Sequence, residues 1–141
     1  MSAEPGNHFE RRFLSKAEDL NDVTEAALQF LEQRGVAAQA VYAANLAIEE
    51  LATNLIKYGY DDTAVHEILL RLELAPGMLL LALEDDGHEF NPLLSPEPDL
   101  NQPVEERLPG GLGLHLLRKM VDHMGYERRD GRNRLTVKIR C

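Results

Sequence analysis

The sequence predicts an α+β fold, a two-layer sandwich with helices on one face of a mostly antiparallel mixed sheet. Three observations predict it. Two long stretches, Ala17 to Gln33 and Ala38 to Tyr58, carry apolar residues at helical intervals of three and four. Two apolar runs meet at Pro76-Gly77, and an alternating C-terminal run follows Asp130-Gly131, both in the manner of hairpins. Helices and strands are thus grouped rather than strictly alternating, which favours an antiparallel sheet over a parallel one.

Taken in order, His8 to Leu14 reads as a first strand. The first helix places Leu20, Val23, Ala27, Phe30 and Leu31 inward and stops at Gly35. The second carries the stripe Val41, Ala44, Ile48, Leu51 and Leu55 and stops at Gly59. In His66 to Leu74 alternation sets Ile68, Leu70, Leu72 and Leu74 on one face, and Met78 to Leu83 is a buried partner strand running into Glu84, Asp85 and Asp86. Between Gly87 and Gly110, Pro92, Pro96, Pro98, Pro103 and Pro109 forbid regular structure over most of the length, and so long a connection points to function. Leu112 to Met124 reads as a third helix with Leu114, Leu117, Val121 and Met124 inward, ended by Gly125. Tyr126 to Arg129 and Arg134 to Arg140 make the last hairpin.

With 141 residues the chain suits one core, so residues 1–141 are read as a single domain. No apolar run reaches the roughly 18 to 20 residues that cross a bilayer, and Met1 to Glu10 is polar, so the expectation is no membrane contact and a cytoplasmic location. The lone cysteine, Cys141, allows no internal disulfide. The five histidines lack metal-type spacing, and Tyr42, Tyr58, Tyr60 and Tyr126 are read as packing residues. A formal charge of −9 repels a phosphate backbone, so direct nucleic-acid binding is not expected. Any polyphosphate ligand would need local devices: backbone N–H groups, a metal ion, one or two cations.

Three motifs supply such devices. In Glu50-Leu51-Ala52-Thr53-Asn54, the glutamate and asparagine share one helical face beside the core stripe. An asparagine oxygen suits Mg²⁺, and a carboxylate one turn away can accept a hydroxyl proton. In Asp85-Asp86-Gly87-His88-Glu89-Phe90-Asn91-Pro92, a carboxylate at the end of a buried strand can accept from an exocyclic amine, and Gly87 lets a base come close. In Gly110-Gly111-Leu112-Gly113-Leu114, glycines at a helix entrance leave free N–H groups facing a phosphate. Each has a plainer reading when taken alone: a solvated helical pair, an acidic turn, a hinge.

In this order and spacing the three together resemble the GHKL ATPases, shared by histidine kinases, type II topoisomerases, Hsp90 and MutL, and within them the anti-sigma factor serine kinases. The resemblance runs from about Leu14 to Ile139 and implies the Bergerat-type fold. It implies ATP and Mg²⁺ as cofactors. Glu50 matches the catalytic carboxylate, the four-residue interval selecting it over Glu49, and Asn54 matches the magnesium ligand. Asp85 matches the carboxylate that recognises adenine, with Gly87 its partner glycine, and Phe90-Asn91-Pro92 matches the small anti-sigma kinases. Gly111 and Gly113, with Leu112 and Leu114 in the same stretch, match the phosphate-binding end of an ATP lid covering about residues 93–109. That lid is acidic, with Glu97, Asp99, Glu105 and Glu106 against Arg107, so Arg107 or Lys57 is the candidate cation for phosphate.

The resemblance therefore implies a protein serine kinase that phosphorylates an anti-anti-sigma antagonist of the STAS type and sequesters a sigma factor or similar regulator, and it suggests a homodimer. The alternative is a switch on the same fold, ATP-gated or nucleotide-independent, that regulates a partner without transferring phosphate. A detached histidine-kinase catalytic domain would need a dimerising phosphoacceptor helix pair, which this sequence does not contain.

Overall fold

The computed structural model describes residues 6–94 and 111–141. Along the chain run β1 (His8–Leu14), α1 (Ala17–Gln33), α2 (Ala38–Tyr58), β2 (Glu67–Ala75), β3 (Met78–Asp85), a 3-10 turn (Pro92–Leu94), α3 (Gly111–Met120), β4 (His123–Arg129) and β5 (Arg132–Arg140). The strands form one sheet in the order β1-β2-β3-β5-β4, and each neighbouring pair is antiparallel. The sheet expected to be mixed is thus antiparallel throughout the described residues.

The turns follow from a few residues. Pro76 and Gly77 link β2 to β3, with Gly77 at φ 74° where a type II turn needs a positive value. Asp130 (φ 53°) and Gly131 (φ 76°) are both left-handed, which matches the two-residue hairpin turn of β4 and β5. Helix α1 ends in a Schellman motif: the Gly35 N–H donates to the Glu32 carbonyl (3.0 Å) and the Val36 N–H to the Leu31 carbonyl (3.1 Å).

One face of the sheet is buried against the helices. Ile68, Leu70 and Leu72 of β2, Leu79, Leu81 and Leu83 of β3, and Leu135, Val137 and Ile139 of β5 pack with Leu31 of α1, Ile48, Leu51 and Leu55 of α2, and Leu114 and Leu117 of α3. Each such side chain contributes about 1.5–3 kcal/mol relative to exposure, so truncating Leu81 to alanine would cost about 2–5 kcal/mol. The opposite face carries a charge ladder across four strands. Arg71 lies 2.7 Å from Glu10 and 3.8 Å from Glu84, and Glu84 lies 3.8 Å from Arg134. None of the described helices is long and apolar enough to cross a membrane.

Helix α3 corrects one expectation. It ends at Met120, not Met124, and Gly125 lies inside β4 opposite Thr136. The Asp122 N–H already donates to the Lys138 carbonyl (2.9 Å), so the sheet captures the chain there. Met124 suits either period: three residues after Val121 it fits a helix, and two before Tyr126 it fits a strand. The ladder to β5 settles the choice.

Candidate functional site

Helix α2 runs the length of the site. Its stripe Ile48, Leu51 and Leu55 is fully buried, which fixes the roll of the helix and sets Glu50 and Asn54 at the edge of the core. Asn54 is 8% exposed, a buried polar side chain. From Glu50 to Gly59 the axial distance is about 14 Å at about 1.5 Å per residue.

At one end, the Glu50 carboxylate rests on the backbone of Gly113 in the first turn of α3. A Cβ at position 113 would run into Oε1, Cδ and Oε2 of the glutamate. The glycine thus leaves room for the glutamate in this position, and a carboxylate comes to a helix entrance. Burial pushes the Glu50 carboxyl above its ordinary range, the Glu49 charge adds to this, and Lys57 opposes both. Lys57 itself is exposed on the last turn of α2.

At the other end, the backbone of Gly59 and the ring of Tyr60 meet Gly87. A Cβ on Gly87 would collide with the Gly59 carbonyl oxygen and would come within 2.8 Å of Asp85 Oδ2 and 2.9 Å of Tyr60 Cε1. Asp85, the last residue of β3, is 1% exposed. Its Oδ2 accepts from the Gly87 N–H (2.9 Å), while its Oδ1 is buried with no partner among the described residues. The Tyr60 hydroxyl is likewise buried and unpartnered. Burial, followed by the neighbouring Asp85 charge, drives that hydroxyl well above its ordinary pKa, although the two groups stop short of hydrogen-bond geometry. Two adjacent buried polar atoms are thus left with unmet hydrogen-bonding capacity among the described residues, which is what a site for a polar partner offers.

The Tyr60 ring stacks face to face on His66, with centroids 4.0 Å apart and planes 1° from parallel. His66 is held in turn by Asp62 (Nε2 to Oδ1, 2.7 Å), and its Nδ1 lies 3.7 Å from Asp86. The hydrogen bond to Asp62 raises the imidazole pKa, and the same bond lowers that of Asp62.

Residues 87–90 follow β3 without regular structure, and the β4-β5 hairpin takes up their backbone groups. The buried Asn133 side chain (1% exposed) donates to the His88 carbonyl (2.8 Å) and accepts at Oδ1 from the Phe90 N–H (3.4 Å), from Arg128 (3.1 Å) and from the Tyr126 hydroxyl. Arg128 also donates to the Gly87 carbonyl (2.8 Å). Arg118 of α3 donates to the Leu93 carbonyl (2.6 Å), tying the 3-10 turn to α3.

The structure therefore brings Glu50 together with Gly113, and Asp85 and Gly87 together with the C-terminal end of α2, with Asn54 between. Leu114 is buried in the core, so it supports α3 from beneath. Gly111 and Leu112 lie in the first turn of α3. Arg107 and residues 95–109 of the expected lid lie outside the described residues, and residues 93–94 belong to the 3-10 turn. Two residues went unread in the sequence. Tyr60, taken as packing, lies against Gly87 beside Asp85. Asn133 was not singled out, although carrying the alternation of Ile139, Val137 and Leu135 back by one more step puts it on the inward face, where a polar residue is itself a signal.

A profile of the histidine kinase-like ATPase domain matches residues 13–139. Among characterised proteins, the chain is similar to the serine/threonine-protein kinase BtrW of Bordetella bronchiseptica, 28% identical over 100 residues that cover 71% of this chain and 70% of the relative. It is also similar to the serine-protein kinase RsbW of Bacillus cereus, 28% identical over 134 residues, covering 92% and 83%. Among solved structures, the RsbU and RsbW domains of a Mycobacterium tuberculosis protein superpose with a TM-score of 0.68 at 16% identity. That match covers 97% of this chain and 32% of the solved one, so this chain spans about a third of that protein's length and shares the fold of that part. With the profile matching nearly the whole chain, and with kinases of this kind among its relatives, the chain belongs to the histidine kinase-like ATPase domain family.

Proposed function

We propose that this protein is an ATP-dependent serine kinase of the partner-switching type, acting in the cytoplasm. It transfers the γ-phosphoryl group of ATP to a serine of a STAS-type anti-anti-sigma antagonist and sequesters a sigma factor or a similar regulator. The observation that carries the reading is the common frame supplied by α2: the Glu50 carboxylate on the α3 entrance at one end, the unpartnered Asp85 Oδ1 at the other. The two kinases to which the chain is similar support the same reaction class.

In this reading Asp85 Oδ1 accepts from the adenine amino group, and the Tyr60 hydroxyl supplies a second polar contact to the base. Glu50, whose raised pKa suits a proton acceptor, takes the proton of the attacking serine hydroxyl as its oxygen bonds to the γ-phosphorus and the bond to the β-phosphate oxygen breaks. Asn54 fits Mg²⁺, which would neutralise charge on the phosphate oxygens. Among the described residues no group of three or more His, Cys, Asp or Glu could hold a metal. A magnesium ion held there by one side-chain oxygen would take its other ligands from nucleotide and water. The first turn of α3, Gly111 to Gly113, offers backbone N–H groups to the phosphates, with Lys57 or Arg107 as the cation.

Incubation with γ-labelled ATP, Mg²⁺ and a STAS-domain antagonist from the same genome tests the proposal. The expected product is a phosphoserine on the antagonist, formed by the wild type and not by Glu50→Gln, with ATP binding largely kept in the variant. Equal labelling by Glu50→Gln would remove Glu50 from the mechanism. The acidic composition around Arg107 favours the second reading, a switch without transfer, which predicts nucleotide-dependent binding of the antagonist and no label.

A further inference from the structure

We infer that Asn133 and Arg128, on the hairpin β4-β5, are positioning residues that aim Asp85 at the base; the inference rests on the base site proposed above. Neither residue belongs to the three sequence motifs. The argument begins from the backbone of residues 87–90, which leaves the sheet at Asp85, paired there with Asn133. Backbone groups that leave a ladder near a core need partners elsewhere. Here the Gly87 carbonyl bonds to Arg128, and the His88 carbonyl and Phe90 N–H bond to Asn133.

Asn133 can do this because its amide is engaged on both sides. Its Nδ2 donates to His88, and its Oδ1 gathers three donors, among them the Arg128 guanidinium. Arg128 spans the two halves of the arrangement, since the same NH1 reaches both Asn133 and Gly87. The effect passes on to the base site through Gly87. The N–H of that residue holds Asp85 Oδ2, and its Cα is pressed against the Gly59 carbonyl and Tyr60. Moving Gly87 therefore turns the Asp85 carboxylate and redirects the unpartnered Oδ1. An acceptor recognises an amine only when it is aimed at it, so the hairpin decides how well the site tells an amino purine from an oxo purine.

The test measures, on the full chain, the binding of ATP and of inosine triphosphate, which lacks the 6-amino group, by wild type, Asn133→Ala and Arg128→Ala. Arg128 is an exposed residue, so its truncation leaves the core intact should Asn133→Ala fail to fold. The expected result is a rise of about tenfold in the ATP dissociation constant, the size of one lost hydrogen bond to a buried polar group. Inosine triphosphate binding should not change, so the preference for ATP collapses. Equal weakening of both nucleotides in the folded variants, or no change in either, overturns the positioning role. A wild type that binds both nucleotides alike, or neither, overturns the base site itself and is told apart from the first failure by that control.

Discussion

The Glu50 carboxylate and the Cα of Gly113 occupy adjoining space, and the glutamate reaches that place only because residue 113 has no side chain. At Gly87 the obstruction is of another kind, since the Gly59 carbonyl oxygen that a Cβ would strike is backbone and cannot swing away.

The two glycines are therefore expected to respond differently to alanine. Gly113→Ala pushes aside the far end of a long side chain and gains up to about 1 kcal/mol of helix propensity, so the melting temperature should hold or rise. Phosphotransfer should fall on the order of a hundredfold as Glu50 is displaced. Gly87→Ala should instead lose about 1–3 kcal/mol of stability, together with nucleotide binding. Thermal unfolding and single-turnover labelling of both variants check the contrast, and full transfer by Gly113→Ala would make the Glu50 position irrelevant.

The raised pKa of Glu50 fixes the sign of a pH effect. A proton acceptor works when ionised, so transfer should fail on the acid side at a pH above the ordinary carboxylate range. Glu49→Gln removes one cause of the rise and should move the acid limb to lower pH, whereas Lys57→Met should move it to higher pH. The same raised value means that the folded chain disfavours the charge, a penalty absent below the unfolded pKa and present above the folded one. Glu50→Gln should accordingly gain thermal stability relative to wild type at neutral pH and not in acid. A pH-rate profile indifferent to Glu49→Gln and Lys57→Met would exclude Glu50 as the titrating base.

Asp85→Asn keeps the shape of the side chain and its capacity to accept from Gly87, but presents an amide donor where the base amine expects an acceptor. Its ATP dissociation constant should rise about tenfold or more. Tyr60→Phe deletes a hydroxyl that has no partner among the described residues, so the nucleotide-free protein should be at least as stable while ATP binding weakens severalfold. Calorimetric titration of both variants decides the point. Unaltered ATP affinity in Asp85→Asn would move the base elsewhere.

The pair His66 and Asp62 predicts a stability window. The folded pKa of His66 is raised, so its contribution is complete below the unfolded imidazole value and vanishes as pH rises through the folded value. That of Asp62 is lowered, so its contribution is present above the unfolded carboxylate value. Asp62→Asn should thus lower the melting temperature at about pH 5.5, between the two ordinary pKa values, and have little effect at about pH 9. A loss of the same size at both pH values would mean that the pair acts through packing.

Much of this was legible because the apolar periods are long. The stripe through α2 is fully buried from Ile48 to Leu55 and the alternation in β2 from Ile68 to Leu72, with Val41 and Leu74 half-buried at the margins, which leaves neither a second register. The end of α3 was not legible, since Met124 fits a helix with Val121 and a strand with Tyr126, and only the ladder that begins with Asp122 and Lys138 decides between them. The shared helical face of Glu50 and Asn54 and the place of Asp85 at the end of β3 were readable because short spacings on regular elements fix them. Tyr60 was missed because it sits just past the helix stop at Gly59, where no period applies. Asn133 was missed because the backbone groups it holds, at Phe90 and His88, lie 43 and 45 residues away, and only pairing of β3 with β5 brings them together.

That a single helix carries both Glu50 and the Gly59-Tyr60 end has a consequence for what evolution or engineering can alter. One residue inserted between positions 54 and 59 would rotate everything beyond it by about 100° and advance it by about 1.5 Å. Gly59 would then leave Gly87, even though every side chain of the original site remained in the chain. Substitutions can retune either extremity on its own, but the count of residues between them is a fixed dimension of the molecule, and length variation must be confined to the connections outside α2.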